Sequence, residues 1–129
     1  RFGGIWIDSA ADAGIVIEDS EIVRTREGPG LFLLSGEDTV ITDSRIVDSG
    51  LGGVLVTHGA GVQLKQVRLV NNGDYEIAAF GSSKVMAIGS WSSLNTKHAF
   101  ASCAEEAQIE FVTANSITDP KGRSALYCP

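Results

Sequence analysis

The chain has 129 residues, 43 % of them hydrophobic, and its ten Lys and Arg against sixteen Asp and Glu give a formal net charge of −6. This length and composition fit a single folded domain spanning residues 1–129. The acidic balance argues against a nucleic-acid partner, because binding to phosphates needs a surplus of cations. The longest apolar runs have four residues, as at 77–80, whereas a membrane-spanning helix needs about 20.

Similar four-residue phrases recur along the chain and alternate between apolar and other positions. They are GIWI at 4–7, GLFL at 30–33, GVLV at 53–56, EIAA at 76–79 and AFAS at 99–102, so the offsets between successive copies are 26, 23, 23 and 23. Alternation with a period of two places every second side chain on one face of a β-strand. The pattern predicts one such strand in each of five repeats.

A longer phrase follows each of the first three copies. It reads IVIEDSEIV from Ile15, TVITDSRIV from Thr39 and VQLKQVRLV from Val62, with offsets of 24 and then 23. The alternation changes parity at the Asp-Ser or Gln-Val step, which indicates two short strands joined by a bend. Gly, Asn, Asp and Ser fill the remaining positions, and no segment shows a helical pattern. Each repeat of about 23 residues is therefore predicted to hold three short strands.

A repeat of this kind is typical of a chain wound as a flat coil, in which each strand pairs in parallel with its copy one turn later. Leucine-rich repeats have a similar length, but their Leu-x-x-Leu-x-Leu-x-x-Asn frame is missing here. The phrases GIWI…GIVIEDSEIV, GLFL…VITDSRIVDSG and GVLV…VQLKQVRLVNNG resemble the right-handed parallel β-helix repeats of the pectate-lyase-like superfamily, from residue 4 to about 118.

The resemblance implies an all-β, right-handed parallel β-helix of about five coils. Residues 119–129 are interpreted as an irregular segment followed by the start of a sixth coil, and the chain as a fragment of a longer solenoid. In-register stacking predicts interior rows of apolar side chains: Ile5, Leu31, Val54, Ile77 and Phe100 in one row, and Ile17, Ile41 and Leu64 in another. The resemblance also implies a polar ladder at a turn, with side-chain amides bonding the neighbouring coil; its residues are Thr25, Ser49, Asn72 and Asn95.

The outward positions of the first strand are unusually apolar. Strand alternation sends five residues outward there: Trp6, Phe32, Leu55, Ala78 and Ala101. An exposed apolar row of this kind suggests a covered surface. The covering group is a terminal segment, another subunit, or a sugar ring stacked on Trp6.

A charged outward row is predicted on another strand, where Glu21, Arg45 and Arg68 align, with Lys65 and Asp43 nearby. One interpretation is a solvated face in which Glu21 neutralises Arg45. The other is a polysaccharide groove, in which Arg45, Lys65 and Arg68 meet substrate carboxylates and Asp43 supplies an acid, a base or a calcium ligand. Trp6, Phe32, Leu55, Asp43, Arg45, Lys65 and Arg68 are therefore the candidates for glycan or partner contact.

No catalytic residue, metal ligand or cofactor is predicted, although calcium stays open. Four carboxylates in adjacent loops are the candidates for it: Asp8, Asp12, Glu37 and Asp38. His58 and His98 occupy different positions in their repeats, so a two-histidine metal site is not indicated.

The two cysteines lie in matching contexts, FASC at 100–103 and ALYC at 125–128. Equivalent residues of neighbouring coils lie about 4.8 Å apart, within the separation that a disulfide requires. The spacing favours a Cys103–Cys128 bridge over two free thiols, and a bridge implies an oxidising compartment. We therefore expect the protein to be secreted or located at the cell surface.

These features favour a non-catalytic structural, adhesion or glycan-contacting module. The alternative is part of a polysaccharide-active enzyme, a lyase, hydrolase or epimerase acting on acidic glycans. The expected partners are a polysaccharide or a protein surface, or a second copy of the chain stacked end to end or side by side.

Overall fold

The computed structural model describes residues 4–8, 14–89, 91–93, 101–104 and 106–111. Within these ranges the chain forms short β-strands and turns. Coil 1 contains β1 (Ile5–Asp8), β2 (Ile15–Glu18) and β3 (Glu21–Val23). Coil 2 contains β4 (Pro29–Ser35), β5 (Thr39–Thr42) and β6 (Arg45–Val47). Coil 3 contains β7 (Gly52–Val56), β8 (Gly61–Lys65) and β9 (Arg68–Val70). Coil 4 contains β10 (Tyr75–Ala79), β11 (Lys84–Ile88) and β12 (Trp91–Ser93), and coil 5 contributes β13 (Ala101–Cys103) and β14 (Gln108–Phe111).

Each strand pairs in parallel with its copy in the next coil, which produces three sheets. Sheet I has the order β1-β4-β7-β10-β13, sheet II the order β2-β5-β8-β11-β14, and sheet III the order β3-β6-β9-β12. The predicted all-β parallel solenoid with a period of about 23 residues is confirmed. The described residues contain all three strands of four coils and two strands of a fifth, which differs from the single strand per repeat of a leucine-rich repeat.

The core fills the space between the three sheets. Inward positions of sheet I are held by Leu31, Val54 and Ile77, and those of sheet II by Ile41 and Leu64, all without solvent exposure. Burial of a large aliphatic side chain contributes about 1.5–3 kcal/mol. The predicted interior rows are therefore confirmed for these residues, and the period-two pattern sets which face of each strand is buried.

In each of the first four coils a corner with one left-handed residue leads from sheet II to sheet III. Asp19, Asp43 and Gln66 occupy it with φ values of 48°, 50° and 55°, and Gly89 follows in the same column with 62°. The left-handed conformation turns the chain so that the next residue points to the opposite side, which explains the parity change in the sequence. The Asp43 N–H donates to the Lys65 carbonyl oxygen of the next coil at 3.0 Å, so the corners stack as the strands do.

The register of the fifth coil differs from the prediction. Ala101 lies opposite Ile77 and Ser102 opposite Ala78, so Ala101 takes the register position that was assigned to Phe100, and Ser102 takes the position assigned to Ala101. This repeat is one residue longer than the two before it, because the connection before β13 has one more residue than those before β7 and β10. Phe100 itself lies outside the described residues. Within the described ranges there is no helix long and apolar enough to cross a bilayer.

Candidate functional site

The outer face of sheet I carries an apolar row that begins with an exposed tryptophan. Trp6, Phe32 and Leu55 lie opposite one another on β1, β4 and β7. Trp6 is 48 % exposed, whereas Phe32 and Leu55 are half-buried. The Trp6 and Phe32 rings meet edge to face, with centroids 5.3 Å apart and an interplanar angle of 65°. This is a favourable aromatic geometry, and it holds the Trp6 ring in a defined orientation on the outside of the coil.

The apolar row is shorter than the sequence indicated. Ala78 continues the column next to Leu55, but it is fully buried, so the prediction that it is exposed is wrong. An alanine carries one methyl group, which neighbouring rungs at about 4.8 Å cover more easily than an indole. Among the side chains of this row that the structure describes, the exposed ones are therefore Trp6, Phe32 and Leu55.

The charged row lies on sheet III. Glu21, Arg45 and Arg68 occupy one column, and β12 places Trp91 next to Arg68. Arg45 Nη1 lies 3.3 Å from Glu21 Oε2, and both side chains are about half exposed, at 48 % and 53 %. An exposed pair of this kind contributes about 1 kcal/mol or less. The geometry agrees with the solvated-face interpretation of Glu21 and Arg45.

Asp43 and Lys65 lie where sheets II and III meet. Asp43 forms the left-handed corner after β5 and accepts a 3.3 Å hydrogen bond from Thr42 Oγ1. Lys65 ends β8 opposite Thr42, and both Asp43 and Lys65 are exposed. Arg45, Arg68, Asp43 and Lys65 are therefore on different sheets from Trp6, so the predicted residues form two separate surfaces and no single groove.

The acidic residues of the first loops that the structure describes do not form a metal-binding group. Asp8 Oδ1 accepts a 2.8 Å hydrogen bond from Ser35 Oγ in the next coil, and Asp12 lies outside the described residues. No group of three or more His, Cys, Asp and Glu side chains among the described residues is arranged to hold a metal ion. His58 Nδ1 lies 2.8 Å from Thr57 Oγ1, while His98 is outside the described ranges.

A depression that the sequence did not reveal lies on the outer face of sheet II. Its volume is about 590 Å³, and Glu37, Asp38, Gly61, Gln63 and Lys84 are among the residues that line it. The signal was available in the repeat, because aligning the copies puts Gly61 between Asp38 and Lys84. Recognising the depression requires knowing which residues of neighbouring coils lie side by side, and the sequence of a single strand does not show that.

The polar ladder has a buried carboxyl group that the sequence also did not reveal. Asn72 Oδ1 accepts from the Ser49 N–H at 3.0 Å and its Nδ2 donates to the Ile46 carbonyl oxygen at 2.9 Å, so the predicted bonding to the neighbouring coil is confirmed. The Glu76 carboxyl accepts from the Asn72 N–H and from Asn72 Nδ2, and Glu76 is fully buried. Thr25 instead donates within its own turn to the Gly28 carbonyl oxygen. Asn95 lies outside the described residues.

One of the two cysteines of the predicted disulfide lies outside the described residues. Cys103 ends β13 opposite Ala79 of sheet I, but Cys128 is not among the described residues. The bridge remains a prediction.

Three sheets of parallel strands, each built from one strand per coil, together with in-register interior rows define a parallel β-solenoid. A family model of the right-handed β-helix region matches residues 3–126, and the chain belongs to this family. No curated protein and no solved structure matches the chain significantly.

Proposed function

We propose that the chain is a non-catalytic structural and adhesion module of a secreted or cell-surface protein, and that it contacts a glycan or protein surface through the outer face of sheet I. The exposed row of Trp6, Phe32 and Leu55 carries this proposal. A β-helix buries its apolar side chains between its sheets, and an outward indole that is 48 % exposed has no part in that core.

The orientation of Trp6 supports a contact role. Its edge-to-face contact with Phe32 removes rotational freedom before any partner arrives, and less side-chain entropy is then lost on binding. An indole presents a broad apolar surface together with a polar N–H, a combination that is enriched where proteins meet partners.

The place of Asp43 supports a non-catalytic role. Its backbone forms a corner that Asp19 and Gln66 form in the adjacent coils. Asp tolerates this left-handed conformation better than most residues, so the fold accounts for its presence without a chemical role. The Arg45–Glu21 pair is likewise accounted for by the solvated face.

The test combines binding and turnover on the same samples. The protein is incubated with pectate, alginate and chitin oligosaccharides, and unsaturated or hydrolysed products and bound sugar are both measured; light scattering in parallel reports self-association. We expect no product, and either saturable glycan binding or concentration-dependent assembly. Trp6→Ala should weaken whichever contact is found at least tenfold.

Val16→Ala is the matched control, because Val16 is an apolar residue on sheet II with a larger exposed fraction, 62 %. Product formation would replace the proposal with the enzymatic alternative. Equal losses in Trp6→Ala and Val16→Ala would remove the outer face of sheet I as the contact surface.

A further inference from the structure

The turn between β9 and β10 contains the one Asn-Gly pair of the sequence, Asn72 and Gly73. Asparagine is a thermolabile residue, and a following glycine makes it more so, because no side chain hinders attack of the glycine nitrogen on the asparagine side chain. The same turn reads TR at 25–26 in the first coil and SG at 49–50 in the second. Neither of those pairs has an amide side chain, so the chemical weakness belongs to this turn.

Both residues of the pair have a structural role in joining the coils. The Asn72 side chain bonds to the Ser49 N–H and to the Ile46 carbonyl oxygen of the preceding coil. At Gly73 a Cβ atom would overlap the Gly50 carbonyl oxygen, so a residue with a side chain does not fit unless the backbone moves. The close stacking of the two turns therefore favours a dipeptide that is chemically labile.

The folded turn holds the two reacting groups in other hydrogen bonds. The Gly73 N–H, which carries the attacking nitrogen, donates to the Ser49 carbonyl oxygen at 2.8 Å. Asn72 Nδ2, the group that would leave, donates to the Ile46 carbonyl oxygen and to the Glu76 carboxyl group, and Asn72 is buried. Attack requires the nitrogen to reach the side-chain carbon in a near-attack geometry. We therefore expect the reaction in molecules in which this turn has separated from the preceding coil.

We infer that Asn72 is a deamidation site that the stacked coils shield, and that its reaction converts a transient opening of the turn into a permanent loss of stability. In the opened turn the Gly73 nitrogen forms a bond to Asn72 Cγ, the Cγ–Nδ2 bond breaks, and the Gly73 proton leaves with Nδ2 as ammonia. Water then opens the cyclic imide to aspartate or isoaspartate. This inference does not depend on the proposed contact through Trp6.

The product does not fit the site that the amide occupied. An aspartate in place of Asn72 can still accept from the Ser49 N–H, but it cannot donate to the Ile46 carbonyl oxygen. It also places a second carboxyl group against the buried one of Glu76, where two like charges disfavour each other. Isoaspartate adds a methylene group to the main chain, so the hydrogen bonds of the turn no longer align with those of the preceding coil.

Deamidation of the parent chain is measured at urea concentrations below, within and above its unfolding transition. Trypsin releases residues 69–84 as one peptide, bounded by Arg68 and Lys84, and fragment-ion masses distinguish Asn72 from Asn71. We expect Asn72 to deamidate at least about tenfold faster in the unfolded chain, and its rate to follow the unfolded fraction through the transition. Equal rates in the folded and the unfolded chain, or no reaction at Asn72 in either, would show that the inference is wrong.

Three variants test the consequence of the reaction. Asn72→Asp reproduces one product, and Gln63→Glu makes the same change from amide to carboxylate at an exposed position of β8. We expect Asn72→Asp to raise the ratio of unfolded to folded chain at least about tenfold and Gln63→Glu to change it less than about twofold. Adding Glu76→Gln to Asn72→Asp should recover part of the loss, because one carboxyl group then remains at the site. Equal stability of Asn72→Asp and Gln63→Glu, or no recovery in the double variant, would contradict the inference.

Discussion

The side chain of Asn72 connects two coils and a buried acid. It bonds to the Ser49 N–H and the Ile46 carbonyl oxygen of the preceding coil, and to the carboxyl group of Glu76 four residues later. A buried carboxyl group is costly unless hydrogen bonds replace its hydration. The amide of Asn72 therefore contributes to coil stacking and also compensates for the burial of Glu76.

Replacing Asn72 with alanine should destabilise the fold strongly. The Asn72→Ala variant leaves the Glu76 carboxyl group and the Ser49 N–H buried with fewer partners, and we expect a loss of about 3 kcal/mol in the free energy of unfolding. Gln63→Ala is the matched control, because Gln63 carries an amide side chain that is exposed on β8; its cost should stay below about 0.5 kcal/mol. Urea unfolding measures both, and similar small losses would contradict a structural role for Asn72.

Tyr75 gives the fold a dependence on alkaline pH. Burial and, to a smaller extent, the charge of Asp74 raise the pKa of the Tyr75 hydroxyl to about 12. In the unfolded chain this hydroxyl loses its proton near pH 10, about 2 units earlier. The folded state therefore holds the proton more tightly, and the stabilisation is complete below pH 10 and falls as the pH rises from 10 towards 12.

A phenylalanine variant isolates this effect. The buried Tyr75 hydroxyl oxygen has no hydrogen-bond partner among the described residues, so Tyr75→Phe should be as stable as the parent protein, or slightly more stable, at neutral pH. The parent should then lose more stability than Tyr75→Phe between about pH 8 and pH 11. Urea unfolding of both proteins at each pH gives the comparison, and parallel losses would show that Tyr75 does not titrate as stated.

At the scale of the element, the corner between sheets II and III is the most regular part of the repeat. Inward residues on its two sides are always five apart: Ile17 and Ile22, Ile41 and Ile46, Leu64 and Leu69. A corner made by one left-handed residue leaves no room for insertion, because an extra residue would exchange the buried and exposed faces of the whole next strand. Length changes are confined to the other two connections of each coil.

The conformation of the corner predicts which substitutions Asp43 tolerates. Asp43→Val places a β-branched residue at φ 50° and should cost about 1–2 kcal/mol. Asp43→Asn keeps a residue that accepts this conformation and should stay within about 0.5 kcal/mol of the parent. Thr42→Val, on the preceding strand residue, controls for the introduced side chain. Thermal or urea unfolding separates these outcomes, and equal stability of Asp43→Val and Asp43→Asn would contradict the conformational role.

The corner also shows what the sequence could and could not predict. The parity change beside Asp19 and Asp43 predicted the bend, because period-two patterns report directly on which face is buried. Glu76 could not be predicted, since its burial depends on contact with the turn at Asn72; the equivalent positions in other coils are Gly4, Gly30 and Gly53. The register of the fifth coil was predicted wrongly because apolar and polar residues alternate only weakly in AFASC. Its small side chains make two alignments equally consistent with an inward row.

At the scale of the molecule, the solenoid keeps its registers while its repeat length varies. The sequence offsets between successive partners on sheet I are 26, 23, 23 and 24 (31 − 5, 54 − 31, 77 − 54 and 101 − 77). Hydrogen bonding between strands fixes the rise from coil to coil at about 4.8 Å whatever the loop lengths are. A residue that follows a sheet I residue by an offset in this range is therefore expected one rung away from it.

Cys103 and Cys128 meet this condition, since their offset is 25 (128 − 103) and Cys103 is in register with Ala79 on sheet I. A rung spacing of about 4.8 Å lies within the Cα separation of disulfides, so we expect the two residues to be bridged. Closing a loop of this size should stabilise the fold by about 3 kcal/mol. Intact mass without reductant should be two hydrogens lower than after reduction, and a reductant should lower the stability of the parent protein but not that of Cys103→Ser. Alkylation of both thiols in the unreduced protein would show that they are free, and it would remove the bridge as an argument for an oxidising compartment.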